Sequence, residues 1–177
     1  MEPMNRQPSQ SSRSPVTIRR AVDPAEKRSV CQRILRDLPE WFGIEQAVLD
    51  YIEDTAAMTF LVAERGGQVV GFAALKDHGG CALEIYVMGV VRTFHRQGAG
   101  RRLVEAAAAE AMALGRRLLT VKTLSPRHPS PEYAATRAFY AAVGFQPVEE
   151  FPTLWGEANP CLLMARILPG KSCAPAT

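Results

Sequence analysis

The stretch YVMGVVRTFHRQGAGRRLVEAA, Tyr86 to Ala107, constrains the fold more than any other. It passes from an apolar, β-branched run through a short basic loop with two glycines into an alanine-rich helical pattern. The first amides of a helix have no partner within it, and the dipole adds positive charge there, so such a junction binds anions. Gly98 and Gly100 carry no Cβ and let backbone approach a phosphate, while His95, Arg96, Arg101 and Arg102 surround it with charge. A bare turn with a solvated basic helix start explains the glycines equally well. Two phosphate motifs are excluded by inspection. G-x-G-x-x-G needs a third glycine where Leu103 stands, and a P-loop needs G-K-[ST] where Gly100 is followed by Arg101 and Arg102.

The elements around this junction follow from capping and periodicity. Val16–Arg20 reads as a short strand. Asp23 as N-cap, Pro24 at the first helical position and Glu26 in capping-box position begin a helix, and Ile44, Val48, Tyr51 and Ile52 mark a second. Strands at 58–65 and 68–77 flank Gly66-Gly67, a hairpin signal, and a third strand spans 82–91. After the glycine loop, Leu103, Val104, Ala107, Ala111 and Leu114 line one helical face that closes on Gly115. A buried strand at 117–124, a helix ending at Gly144 and strands at 145–150 and 161–168 complete the order β-α-α-β-β-β-α-β-α-β-β. This predicts an α/β fold, a mixed and mostly antiparallel sheet with helices on both faces.

A chain of 177 residues suits one domain, expected over residues 16–168, with loose tails at 1–15 and 169–177. A net charge of +3 is too mild to imply a nucleic-acid partner, and no apolar run reaches a membrane span. The polar first fifteen residues lack a secretory core. Four scattered cysteines without a C-x-x-C pair argue against a metal site and for a reduced, cytoplasmic setting.

In this order of elements the chain resembles the GNAT (Gcn5-related) N-acetyltransferases over roughly Val16 to Leu168. The family's motif Q/R-x-x-G-x-G/A appears as HRQGAG, His95 to Gly100, with histidine at its first place. The family's F-Y-x-x-x-G-F appears whole from Phe139 to Phe145, and EIYVMGV is similar to its central strand. The resemblance implies a pyrophosphate of acetyl-CoA held by His95, Arg96, Gln97, Gly98, Ala99, Gly100 and Arg101, and a pantetheine arm paired with the strand end at Val90 and Val91. Gly89 suits either a bulge that opens this edge or a packing concession.

The resemblance also implies Tyr140 as the acid that protonates the leaving thiolate, with Phe139 in the core. It points to Glu84 as the base. If Leu83, Ile85 and Val87 share one face, Glu84 falls on the other with Tyr86 and Met88, either as a functional acid in a buried strand or exposed at an edge, and a water chain serves equally as base. His78 and His128 lie in loops and read as solvated, His128 alternatively near the adenosine end. In the family two segments flank the acceptor channel, and here both lack Lys and Arg. The first holds Asp37, Glu40, Glu45, Asp50, Glu53 and Asp54; the second holds Glu149, Glu150 and Glu157. Carboxylates at that rim would draw a cationic acceptor, although solvated helix faces explain them as well. Trp41, Phe42 and Trp155 supply apolar walls or core cover. The function implied is an acetyl-CoA-dependent N-acetyltransferase acting on the primary amine of a small, cationic acceptor. The alternatives are a protein or peptide N-acetyltransferase and a non-catalytic acyl-CoA-binding sensor. Neither nucleic acid nor membrane is expected as a partner, and a homodimer is compatible with the chain.

Overall fold

A computed structural model describes residues 14–170. The tails expected at 1–15 and 169–177 lie almost wholly outside the described residues. Seven strands form one sheet in the order β1-β2-β3-β4-β5-β7-β6. The strands are β1 (Val16–Ala21), β2 (Thr59–Arg65), β3 (Gln68–Asp77), β4 (Ala82–Val90), β5 (Leu118–Leu124), β6 (Gln146–Phe151) and β7 (Cys161–Ile167). The helices are α1 (Pro24–Arg36), α2 (Glu45–Thr55), α3 (Ala99–Ala113) and α4 (Pro131–Ala142). Only β4 and β5 pair in parallel; the other pairs are antiparallel. The order of elements and the fold class are those expected from the sequence.

Local chemistry explains the boundaries. Asp23 caps α1 by accepting from the Ala25 amide at 3.0 Å. Glu26 does not close a capping box; its carboxylate accepts from Arg19, which also reaches Glu64. Gly66 and Gly67 both have positive φ, 56° and 76°, as a tight hairpin turn requires. Ser130 caps α4 through the Tyr133 amide, with Pro131 at the first helical position.

The sheet separates two cores. On one face α3 and the end of α4 bury Leu103, Val104, Ala107, Tyr140 and Val143 against Leu61, Leu75, Leu83, Ile85, Leu119 and Val121. On the other, α1 and α2 bury Ile34, Leu35, Val48 and Ile52 against Phe60, Val62, Phe72 and Val87. The expectation that Leu83, Ile85 and Val87 share a face is therefore corrected. Ala74 pairs with Val87 and Leu75 with Ile85, so Tyr86 is an extra residue, a bulge that reverses the alternation along β4. Of the two readings of Gly89 the bulge is not formed, since Gly89 pairs with Phe72 and Met88 with Ala73 in regular register. A Cβ on Gly89 would stand 2.8 Å from Ile34 Cγ2, so this glycine lets α1 pack against the strand.

Candidate active site

The bulge coincides with a split in the sheet. β4 pairs with β5 only over Ala82–Ile85 and Leu118–Val121; beyond that, β5 continues against β7 alone. Tyr86 to Val90 thus present to the gap a strand edge without a strand partner. A cleft of about 1150 Å³ follows this gap, walled by β4, the loop after it, the start of α3, the end of β5 and the inner side of α4.

At one end of the cleft lies the glycine loop. Arg96 has φ 61° and Gly98 φ 90°, a left-handed turn that leads into α3. Among the described residues, the amides of 96 to 101 have no hydrogen-bond acceptor, since the first bond into this turn is from Arg102 to the Gly98 carbonyl. A Cβ on Gly98 would meet nothing within 4 Å, whereas one on Gly100 would press on Phe139 at 3.2 Å. The first glycine leaves room for a ligand and the second lets α3 pack on α4. Gln97 accepts from Arg65 at 2.5 Å and donates to the Thr93 carbonyl at 2.8 Å, which fixes the loop from outside. His95 Nε2 bonds the Val90 carbonyl at 2.7 Å, and its ring meets Trp41 edge-on. The unusual histidine of the motif therefore ties the loop to the end of β4. Val91, expected to offer its backbone to the cleft, gives its amide to the Val70 carbonyl instead. With that bond, strand alternation turns Met88 and Val90 to the open edge.

Tyr140 lies in the cleft wall on α4, packed against Phe139 and Phe145. Its hydroxyl has no hydrogen-bond partner among the described residues. Burial, with Tyr133 nearby, raises its pKa well above that of a free phenol, so it is held in the neutral, donating form. Tyr133, half-buried, is pushed up to about 12 by loss of solvent and donates to the Trp41 carbonyl at 2.7 Å. Trp41 in turn donates through Nε1 to Thr136 on α4 at 2.9 Å. Arg92 ties the same loop to the end of β4, its amide donating to Asp37 at 2.9 Å and its guanidinium pairing with Glu40. The α1–α2 loop thus bridges from β4 to α4 beside the cleft.

The far end of the cleft is aromatic. Phe42, Tyr51 and Tyr86 meet edge-on there, and Trp155 and Lys122 also line the cleft. Tyr86 donates to Asp54 at 2.6 Å. Burial first, then neighbouring acidic groups including Glu84, raise the pKa of Tyr51.

Glu84 is buried, which removes the exposed-edge alternative, yet it does not line the cleft. Its Oε1 accepts from Lys122 Nζ at 2.7 Å and its Oε2 lies 2.5 Å from His78 Nε2. Lys122, which holds this carboxylate, does line the cleft. Lys122 and His78 were missed as site residues. The available signal was a lone cation inside the apolar strand LLTVKTL, one strand away from a lone acid. His128, read as solvated, is half-buried on the cleft wall against Tyr133.

The acidic rim does not form at the cleft. Glu45 pairs with Arg36, Glu53 with Arg28 and Glu150 with Arg127. Glu149 is exposed on β6, and neither Glu149 nor Glu150 lines the cleft. Of the first segment's acids only Glu40 is on the wall, and Arg92 holds it. These cations come from elsewhere in the chain, so an acid-only segment does not mean an acidic surface.

Cys31 and Cys161 are free, buried thiols pushed up to about 11 by burial. Cys81 is disulfide-bonded, which weakens the sequence argument for a reducing compartment. Among the described residues no helix is long and apolar enough to cross a membrane, and no group of side chains is arranged to hold a metal ion.

The sequence profile of the acetyltransferase (GNAT) domain matches residues 56–147, more than half of the chain. No curated protein matches it by sequence. Solved structures match in fold. Ard1 from Thermoplasma volcanium superposes with a TM-score of 0.67 at 24% identity, over 88% of this chain and 99% of that one. An aminoglycoside 6'-N-acetyltransferase complexed with coenzyme A gives 0.69 at 18% identity, over 88% and 99%. A GNAT family acetyltransferase from Elizabethkingia anophelis with acetyl-CoA bound gives 0.64 at 15%, over 86% and 98%.

Proposed function

Because the chain belongs to the GNAT acetyltransferases, we propose that it transfers the acetyl group of acetyl-CoA to the primary amine of a small acceptor, by direct attack through a tetrahedral intermediate. The observation that carries this reading is the alignment, along one cleft, of three sets of unsatisfied groups. These are the amides of residues 96–101, the edge of β4 at Met88 and the Val90 amide, the Val90 carbonyl being already bonded by His95, and the Tyr140 hydroxyl.

Each set answers one part of the donor and one step of the reaction. The amides and the α3 dipole take the pyrophosphate, with Arg96 and Arg101 beside them. The β4 edge receives the amide-bearing pantetheine arm as an added strand, at Met88 and Val90. A backbone N–H on this edge then stabilises the oxyanion, and Tyr140 protonates the departing thiolate. Phe42, Tyr51, Tyr86 and Trp155 form the acceptor end, and the Trp41 bridge to α4 closes one side of the cleft, which favours a small amine over a peptide chain. A preference for cationic acceptors has no unpaired carboxylate on the cleft wall to support it.

Calorimetry with coenzyme A on Gly98→Val tests the reading. Valine is strained at a φ of 90° and puts a side chain where phosphate must approach. Affinity should fall about tenfold or more, as expected from losing charge-assisted amide bonds. Wild-type affinity in a folded Gly98→Val protein contradicts it.

A further inference from the structure

We propose that Lys122, Glu84 and His78 form a proton exit from the acceptor end of the cleft, along the α2 face of the sheet, to solvent. This rests on the acetyl-transfer reading above. An acceptor arriving as an ammonium loses two protons on becoming an amide. One ends on the sulfur of coenzyme A, delivered by Tyr140, which is restored from the nitrogen of the intermediate. The other must leave the cleft, where donor and acceptor together occupy the length of the gap.

Three titratable groups in contact lead out of it. Lys122 lines the cleft with its side chain 30% exposed, Glu84 behind it is 4% exposed, and His78 beyond is 42% exposed in the β3–β4 turn. The links are 2.7 Å from Nζ to Oε1 and 2.5 Å from Oε2 to Nε2. Glu84 accepts a proton from the Lys122 ammonium, and the neutral amine so formed takes one from the acceptor ammonium. Glu84 passes its proton to His78, which releases one to bulk water as imidazolium. One proton enters and one leaves, and every group returns to its starting charge. The free acceptor amine then attacks the acetyl carbon.

Further titratable groups border this route, and of the three members only Glu84 is buried. From α2, Tyr51 and Asp54 face the array; from β4, Tyr86; from β7, the Cys161 thiol. Lys76 lies across from Glu84 in the β3–β4 register, and Asp77, paired with Arg116, is next to His78. A lone carboxylate buried among these aromatic rings needs a partner for stability, and one cation suffices for that. The second partner, reaching solvent, is what a merely structural ion pair does not require.

The test uses His78→Gln and His78→Ala in the full-length protein. Coenzyme A thiol release from acetyl-CoA is followed with a diamine, an amino sugar, an amino acid amide and a short peptide as acceptors. Glutamine keeps a hydrogen bond to Glu84 and carries no proton, so kcat should fall roughly tenfold or more with the KM for acetyl-CoA unchanged. Added imidazole should restore kcat in His78→Ala. Wild-type kcat in His78→Gln, or a loss in His78→Ala that imidazole does not restore, overturns the relay alone. Absence of amine-dependent release in the wild type instead overturns the acetyl-transfer reading, and the relay with it.

Discussion

Tyr140 owes its pH behaviour to its surroundings. Burial raises its pKa, so the donor form present at neutral pH persists as pH rises past the ordinary phenol value. No fall in kcat from loss of this proton is expected below pH ~10, the free phenol pKa. A pH–rate profile checks this, and a descending limb that also disappears in Tyr140→Phe would contradict it. At Glu84 the sequence gives the acid in an apolar strand and no more. Its partners stand 6 residues before it and 38 after it, a juxtaposition that strand register creates and local pattern cannot show. Removing one partner leaves a buried carboxylate half satisfied. Lys122→Met should therefore destabilise the protein by roughly 1–3 kcal/mol, less than the 3–5 kcal/mol typical of a fully buried pair, because Lys122 is partly exposed. Denaturant unfolding measures it, and Glu84→Gln in the same chain should recover part of the loss.

Among the elements, β4 shows where periodicity stops being informative. Its alternation reads as regular, and the single extra residue at Tyr86 moves Val87 from one core to the other. A bulge changes pairing between strands and leaves no mark in the composition of its own strand. Gly89 was legible as unusual, but only the approach of Ile34 from α1 decides between its two explanations. Gly89→Ala should cost about 1–3 kcal/mol by overpacking, read from the unfolding midpoint. A stability equal to wild type would mean that α1 shifts freely against the sheet. Caps were more legible, since Asp23 and the Gly66-Gly67 turn act within a few residues of themselves. Ser130 was missed as a cap because Pro126, Pro129 and Pro131 crowd the residues before α4. Ser130→Ala should cost about 0.5–2 kcal/mol in the same unfolding experiment.

For the whole molecule, the order of elements and the two-sided helix packing were legible, while the strand order, with β7 between β5 and β6, comes from the structure and positions the site by splitting β4 from β5. The glycine loop and Tyr140 were both legible as parts of the cleft wall, because each rests on a short contiguous motif. The surface charge was not, because Arg28, Arg36, Arg92 and Arg127 reach the acidic segments from outside them. What distinguishes an enzyme from an acyl-CoA sensor with the same fold is turnover that depends on the acceptor and on Tyr140. The most direct measurement is thiol release from acetyl-CoA across primary amines, in wild type and in Tyr140→Phe, with coenzyme A affinity measured alongside. Saturable, amine-dependent release is expected in the wild type, falling by ~10²-fold or more in Tyr140→Phe at unchanged affinity. Tight binding of coenzyme A with no amine-dependent release, or full turnover in Tyr140→Phe, would contradict the account.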